Sequence, residues 1–230
     1  MSNFIQSSTF FGVMLSLISY GIGMELKKRW KHSMFNPLLI AVCISILVLV
    51  VLHIDYNVYY EGAKYISYLL TPATVCLAIP LYEQLQLLRK NYIAILIGIA
   101  SGVLTSGFTI FLMSLLFNLN HTQYVTLFPK SITTAIGIGL SQELDGYIAI
   151  TVAAIMITGL FGNIAGDMLC KILRIKNNVA QGIAVGTASH VMGTSKAMEM
   201  GAVQGAMSSL SVAVAGCMTV LSAILFENLI

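Results

Sequence analysis

The sequence predicts an all-α membrane protein: six or more transmembrane helices, two broken or re-entrant segments, and possible inverted repeats. Three observations predict it. Of 230 residues, 57% are hydrophobic and only 9% are charged, with a mean hydropathy of +0.88. A soluble domain carries about 25% charged residues, so a soluble chain of this composition would expose apolar surface it could not cover. The apolar residues also come in runs of spanning length, each closed by a short polar or charged cluster. At roughly 20 apolar residues per span, the chain has room for about six to eight embedded elements. Finally, two stretches within this pattern are too polar for ordinary spans. Residues 1–230 read as a single polytopic transmembrane domain.

The elements follow in order. The first apolar run covers residues 10–24 and stops at Lys27, Lys28, Arg29 and Lys31. No Lys/Arg-rich segment precedes it, so it reads as a retained span and not as a cleaved signal. The second run covers 37–53, and the loop 55–61 after it holds two acids and no base. A third, 63–82, is interrupted by Thr71-Pro72 and followed by Arg89 and Lys90. The fourth, 92–117, is apolar around a polar centre, Thr105-Ser106-Gly107. After an uncharged loop, residues 127–143 are too polar and too short for a span. A clean span, 147–170, ends at Lys171, Arg174 and Lys176. A second polar, Gly-rich stretch covers 182–199, and the last span 203–226.

Lys and Arg favour the cytoplasmic side. The clusters at 27–31, 89–90 and 171–176 are therefore expected inside, with the N-terminus outside. Two spans separate the last two clusters, so 127–143 must enter and leave on one side, dipping in from outside. The stretch 182–199 is a candidate for the same behaviour from inside. Irregular backbone at membrane depth survives only where protein buries it or where it lines a watery cavity. Two such stretches point to a pathway or a binding site. A faint internal repeat accompanies them. Tyr92-Ile93-Ala94-Ile95 recurs as Tyr147-Ile148-Ala149-Ile150, 55 residues on. Pro72-Ala73-Thr74 and Pro129-Lys130-Ser131 lie 57 apart, and Glu143 and Gly146 are echoed by Glu199 and Gly201. One re-entrant loop plus one span is an odd number of crossings, so successive units would be inverted, as in many secondary transporters.

Three stretches carry candidate chemistry. In the first, Pro72 and Pro80 each remove a backbone donor, and Thr74 sits between them. The freed carbonyls need hydroxyls, water or a ligand. The alternative is a kinked packing helix. In the second, Pro129 breaks the chain beside Lys130, Ser131, Thr133 and Thr134. A lysine in hydrocarbon costs a few kcal/mol and is usually paired or functional. With its hydroxyl neighbours it could hold a carboxylate, or it could snorkel to the surface as an anchor. The third is Gly186-Thr187-Ala188-Ser189-His190 with Gly193, Thr194 and Ser195. Small residues permit close backbone approach, hydroxyls donate, and histidine titrates near neutral pH. A proton-coupled carrier of a small organic anion needs these parts; a small-residue helix interface would use them too. Asn163, polar within a span, could face the same cavity.

Other classes fare poorly. The net charge of +3 lies in short topological clusters, not in a nucleic-acid surface. The four cysteines, Cys43, Cys76, Cys170 and Cys217, share no close spacing and read as buried small apolar residues. No metal or cofactor is expected. There is no Gly-x-Ser-x-Gly elbow and no phosphate loop, and Ser189 beside His190 is not a catalytic pair, since adjacent side chains diverge. An enzyme is not expected.

Four motifs in order resemble the LrgB/CidB family over nearly the whole chain. They are Phe35-Asn36-Pro37-Leu38-Leu39, Pro72-Ala73-Thr74-Val75 with Ala78-Ile79-Pro80-Leu81-Tyr82, Pro129-Lys130-Ser131-Ile132-Thr133-Thr134, and Gly186-Thr187-Ala188-Ser189-His190 with Gly193-Thr194 and Lys196-Ala197. Ser131-Ile132-Thr133 and Glu199-Met200 resemble the CidB-like side of the family. Val191 and Met192 are bulkier than that pattern and would narrow a cavity. The resemblance implies a multi-pass protein of the bacterial plasma membrane, a small partner of the LrgA/CidA type, and holin-like or antiholin-like control of murein hydrolase activity and cell lysis. It also implies transport, since a plant plastid relative moves glycolate and glycerate and bacterial members are tied to small carboxylates such as pyruvate. Together these readings predict a carrier of small monocarboxylates of the glycolate, pyruvate and lactate class, proton-coupled and homo-oligomeric in the lipid bilayer. The alternative is the lysis regulator.

Overall fold

A computed structural model describes residues 10–30, 36–69, 72, 75–76 and 78–230. The described residues are helical, with no strand among them. The chain divides into two compact units, Met1–Cys76 and Leu77–Ile230.

In the first unit, α1 (Phe11–Trp30) packs on α2 (Pro37–Val51) and α3 (Tyr56–Ser67). Asn36 starts α2: its Oδ1 accepts from the Leu38 amide at 2.8 Å, and Pro37 occupies the first turn, where no amide donor is needed. Asp55 caps α3 in the same way, accepting from Asn57 N at 2.7 Å. Glycines let α1 approach its neighbours. A β-carbon on Gly23 would stand 2.6 Å from the Pro37 carbonyl. Ser16 Oγ and Tyr59 Oη, 2.8 Å apart, join α1 to α3.

The second unit holds α4 (Ala78–Glu83), α5 (Leu85–Leu116), α6 (His121–Leu127), α7 (Thr134–Glu143), α8 (Ile148–Ile172), α9 (Asn178–Met200) and α10 (Ala202–Phe226), with a final 3-10 turn, Glu227–Leu229. Among the described residues, Leu85–Leu116, Ile148–Ile172 and Ala202–Leu229 are long and apolar enough to cross a membrane. The sequence predicts six or more such helices. The difference has physical causes. The last turn of α1 is charged through Lys27, Lys28 and Arg29, α2 is only 15 residues long, and α9 is rich in small polar ones.

The chain reverses twice between these long helices. Residues 128–133 turn α6 back into α7, so that Tyr147 N reaches Thr126 Oγ1 at 2.8 Å and Thr151 Oγ1 reaches Ser141 Oγ at 2.7 Å. The second reversal lies inside α9. Ser189 (φ −136°, ψ 18°) and His190 (φ 44°, ψ −144°) leave helical geometry. The two arms, 178–188 and 191–200, then lie side by side, and Gly193 packs on Val185 and Ser189. Both arms also pack along α10. Gly182 and Gly186 meet Gln204 and Ser208 from the first arm, and Thr194 meets Ser208 from the second, Oγ to Oγ at 2.8 Å.

The turn at 128–133 seats among Ile110, Tyr124, Phe128, Ile132 and Ala223, with Phe226 against Phe128 at 5.7 Å between ring centroids. Tyr124 Oη donates to the Phe226 carbonyl at 2.9 Å. This apolar cluster closes one end of the unit. The opposite end gathers the start of α5, with Arg89 and Lys90, and the end of α8 with its link to α9, with Lys171, Arg174 and Lys176.

The cysteines depart from expectation. Among the four, which are all free, Cys170 is buried, while Cys43, Cys76 and Cys217 are exposed. A bilayer is as apolar as a core, so a small apolar residue need not be buried to avoid water. Long apolar side chains such as Leu221, Ile224 and Leu225 on α10 are exposed for the same reason.

Candidate functional site

A cavity of about 920 Å³ lies in the second unit, between α5 and the first arm of α9. Its α5 wall follows from helical periodicity. Ala94, Gly98, Ser101, Thr105 and Thr109 recur every three or four residues and share one face. Its α9 wall is Val179, Ala180, Ile183, Ala184, Thr187 and Ala188. The two helices run parallel in register: a β-carbon on Gly98 would touch Ile183 at 3.6 Å, and one on Gly102 would press on Thr187 at 2.8 Å. Leu87, Asn91, Ile175 and Asn177 form one end. Lys130 and Ser131, from the turn between α6 and α7, form the other.

Lys130 Nζ donates to Ser131 Oγ at 2.9 Å and to Ser106 Oγ at 3.3 Å. The ammonium has three hydrogens. No carboxylate lies within ion-pair distance among the described residues, and none of the described lining residues is acidic. The other hydroxyls on the α5 face bond to their own helix. Ser101 donates to Gly98 O at 2.8 Å, Thr105 to Ser101 O at 2.7 Å and Thr109 to Thr105 O at 2.7 Å. Their hydrogens are spent, and their remaining lone pairs face outward. Thr187 differs. It is 7% exposed and its Oγ1 has no hydrogen-bond partner among the described residues. A small chamber joins Thr187 to Ser106, Ser131 and Thr219, so residues of both reversals share one polar space. The site thus offers a cation and hydroxyl groups to an anion, inside otherwise apolar walls.

Of the residues singled out in the sequence, Lys130 and Ser131 stand on the cavity wall. Thr133 and Thr134 begin α7 and are partly buried beside the turn, outside that wall. Pro129 is buried at the turn, where its carbonyl accepts from Ile132 N at 3.3 Å. His190 is 4% exposed, with Nε2 donating to the Ile155 carbonyl on α8 at 3.0 Å and its ring against Gly159. Ser189 packs on Gly162, and Asn163 Nδ2 donates to Met192 O at 2.7 Å. Thr194 bonds both Ser208 and the His190 carbonyl. Gly186 and Gly193 are close-packing positions, and Ser195 is exposed. Pro72 is exposed and Pro80 lies within α4, while Thr74 lies outside the described residues. Two wall residues, Ser106 and Thr187, are not among the individual site residues expected from the sequence. Both lie in polar stretches it does mark, one at the centre of the 92–117 run and the other in the Gly-rich stretch.

Known proteins supply the last finding. Residues 16–229 match the LrgB-like family. The chain is 36% identical over 210 residues to the holin-like protein CidB of Staphylococcus aureus, covering 91% of each chain. It is 37% identical over 212 residues to the antiholin-like protein LrgB of Bacillus cereus, covering 92% of each. These near-equal identities do not favour the CidB-like side that the residues resemble. No solved structure matches the chain. The family match, two sets of relatives aligned over nearly their full length and the apolar spanning helices agree on one assignment: the chain is a multi-pass membrane protein and belongs to the LrgB-like family.

Proposed function

We propose that the protein carries small monocarboxylates across the bacterial plasma membrane, holding the carboxylate at Lys130. One observation carries the reading. A lysine with no acidic partner among the described residues faces a large cavity inside a spanning bundle, flanked by Ser106, Ser131 and the Thr187 hydroxyl, which has no partner among those residues either. An uncompensated ammonium in such a place is costly unless a ligand anion or water completes its shell. The two chain reversals support the same reading as re-entrant hairpins, one from each side, each followed by a span. That order, hairpin and α8 and then hairpin and α10, is what inverted repeats would give. Six or more crossings for the whole chain remain part of this proposal, as does a homo-oligomer. His190 ties the tip of its hairpin to α8 and stands outside the cavity wall, so the proposal routes no proton through it.

A second reading is a holin-like or antiholin-like regulator of murein hydrolase activity and lysis, acting with a small membrane protein of the LrgA/CidA type. The names of the relatives bear on this reading more directly than on transport. The experiment that separates the two is uptake of labelled pyruvate, lactate or glycolate into proteoliposomes holding the purified chain alone. Saturable uptake lost in Lys130→Gln supports the carrier. No uptake, with lysis phenotypes that need the small partner, supports the regulator.

A further inference from the structure

The cavity is far larger than a two- or three-carbon acid requires. At about 30 Å³ per displaced water, a three-carbon acid needs on the order of 100 Å³, against about 920 Å³ here. Its polarity is also sorted along its length. Ser101, Thr105, Ser106, Lys130, Ser131 and Thr187 gather at the closed end. Below them the wall is Ala94, Ile95 and Gly98 on α5 facing Ala180, Ile183 and Ala184 on α9. From Gly102 down to Asn91 the α5 wall runs roughly 16 Å at 1.5 Å per residue. A short hydroxy acid bound at Lys130 leaves this apolar section untouched. A watery vestibule would have no use for apolar walls on both helices.

We propose that the groove takes an unbranched monocarboxylate with an apolar tail, its carboxylate on Lys130 and Thr187 and its chain lying between α5 and the first arm of α9. The charge is complementary, because Lys130 is the cation with no acidic neighbour among the described lining residues. The tail is matched in character by the apolar section from Ala94 to Gly98 opposite Ile183, about 6 Å of α5. This inference rests on the reading of Lys130 as a carboxylate site and extends it to a second class of ligand.

The test is a chain-length series of acetate, butyrate, hexanoate and octanoate. Binding is measured calorimetrically on the full chain in nanodiscs, with empty nanodiscs subtracted for partition into lipid. A fully buried methylene is worth about 0.8 kcal/mol, or roughly fourfold in affinity. The groove is open along one side, so the affinity should rise about two- to fourfold per methylene. Lys130→Gln should abolish the series at every length. Ala184 is exposed on the groove, so Ala184→Trp should fill the apolar section without disturbing the fold. It should flatten the length dependence. Ile183→Thr, which shortens the side chain by one carbon and makes it polar, should shallow the slope where the tryptophan variant fails to fold. Short acids bound through Lys130 with no gain from chain length would overturn the inference alone. The same flat result is expected if a second copy of the chain fills the groove. A gain with length that survives Lys130→Gln would mean occupation by lipid-like tails in general, and would also overturn it. Absence of any Lys130-dependent binding by the wild-type chain, short acids included, would defeat the small-carboxylate reading as well, which distinguishes the two failures.

Discussion

A β-carbon on Gly193 would stand 2.9 Å from the carbonyl oxygen of Val185 and 2.6 Å from Ser189 Cβ. Residues eight apart on a continuous helix are about 12 Å apart along its axis. The contact therefore exists only because the chain turns back at Ser189 and His190. Gly193→Val should force the arms apart and destabilise the protein by about 1–3 kcal/mol. The readout is the thermal midpoint in detergent compared with a control valine at Gly139, which has open space around it. An unchanged midpoint would mean that the arms do not pack as described.

The same hairpin predicts a coupled pair. A methyl group at Gly162 would overlap the Ser189 side chain. Gly162→Ala should lower the midpoint, and Ser189→Gly should restore part of the loss in the double variant. Additive losses would place Ser189 away from α8.

At the opposite end, Tyr124 Oη donates to the Phe226 carbonyl and ties α6 to the end of α10. Tyr124→Phe keeps the ring contact with Phe128 and removes one buried hydrogen bond. The expected cost is about 1 kcal/mol, measured by reversible unfolding in mixed micelles. A neutral result would show that water already competes for that carbonyl.

His190 gives a prediction about pH. The residue types alone make it a candidate proton carrier, but its ring donates to Ile155 O and packs on Gly159. A glutamine can donate the same hydrogen bond. His190→Gln should therefore retain the wild-type pH profile of uptake between about pH 5.5 and 8, the range that brackets the reference histidine pKa. His190→Ala should instead lower stability. A pH profile flattened by the glutamine would return the coupling role to His190.

Much of this arrangement is legible in the residues themselves. Gly and hydroxyl residues in 182–199, and Pro129 with its polar followers, mark the two places where the chain reverses between the long helices. The physics is direct, since lipid cannot solvate irregular backbone. Which side chains then reach the cavity is less legible. Thr187 and Ser189 sit in the same small-residue run, yet one meets the cavity and the other meets Gly162. The choice depends on where the helix breaks, and no local pattern gives that to one residue. The large cavity between α5 and α9 was equally hidden, because it arises from the 85-residue offset that sets Gly98 against Ile183 and Gly102 against Thr187. The exposed cysteines show the opposite limit: apolar character does not tell a core from a lipid-facing surface.

The central claim is that Lys130 holds a carboxylate in this cavity, and counterflow tests it most directly. Proteoliposomes with the purified chain are loaded with unlabelled pyruvate and diluted into labelled pyruvate, for wild type, Lys130→Gln and Lys130→Arg. The account predicts a transient overshoot of label for wild type. Removing the cation from the buried site should cost Lys130→Gln about tenfold or more in apparent affinity, while Lys130→Arg should retain part of the activity through its preserved charge. Wild-type overshoot that persists unchanged in Lys130→Gln would contradict the site, and no overshoot in any variant would contradict the carrier.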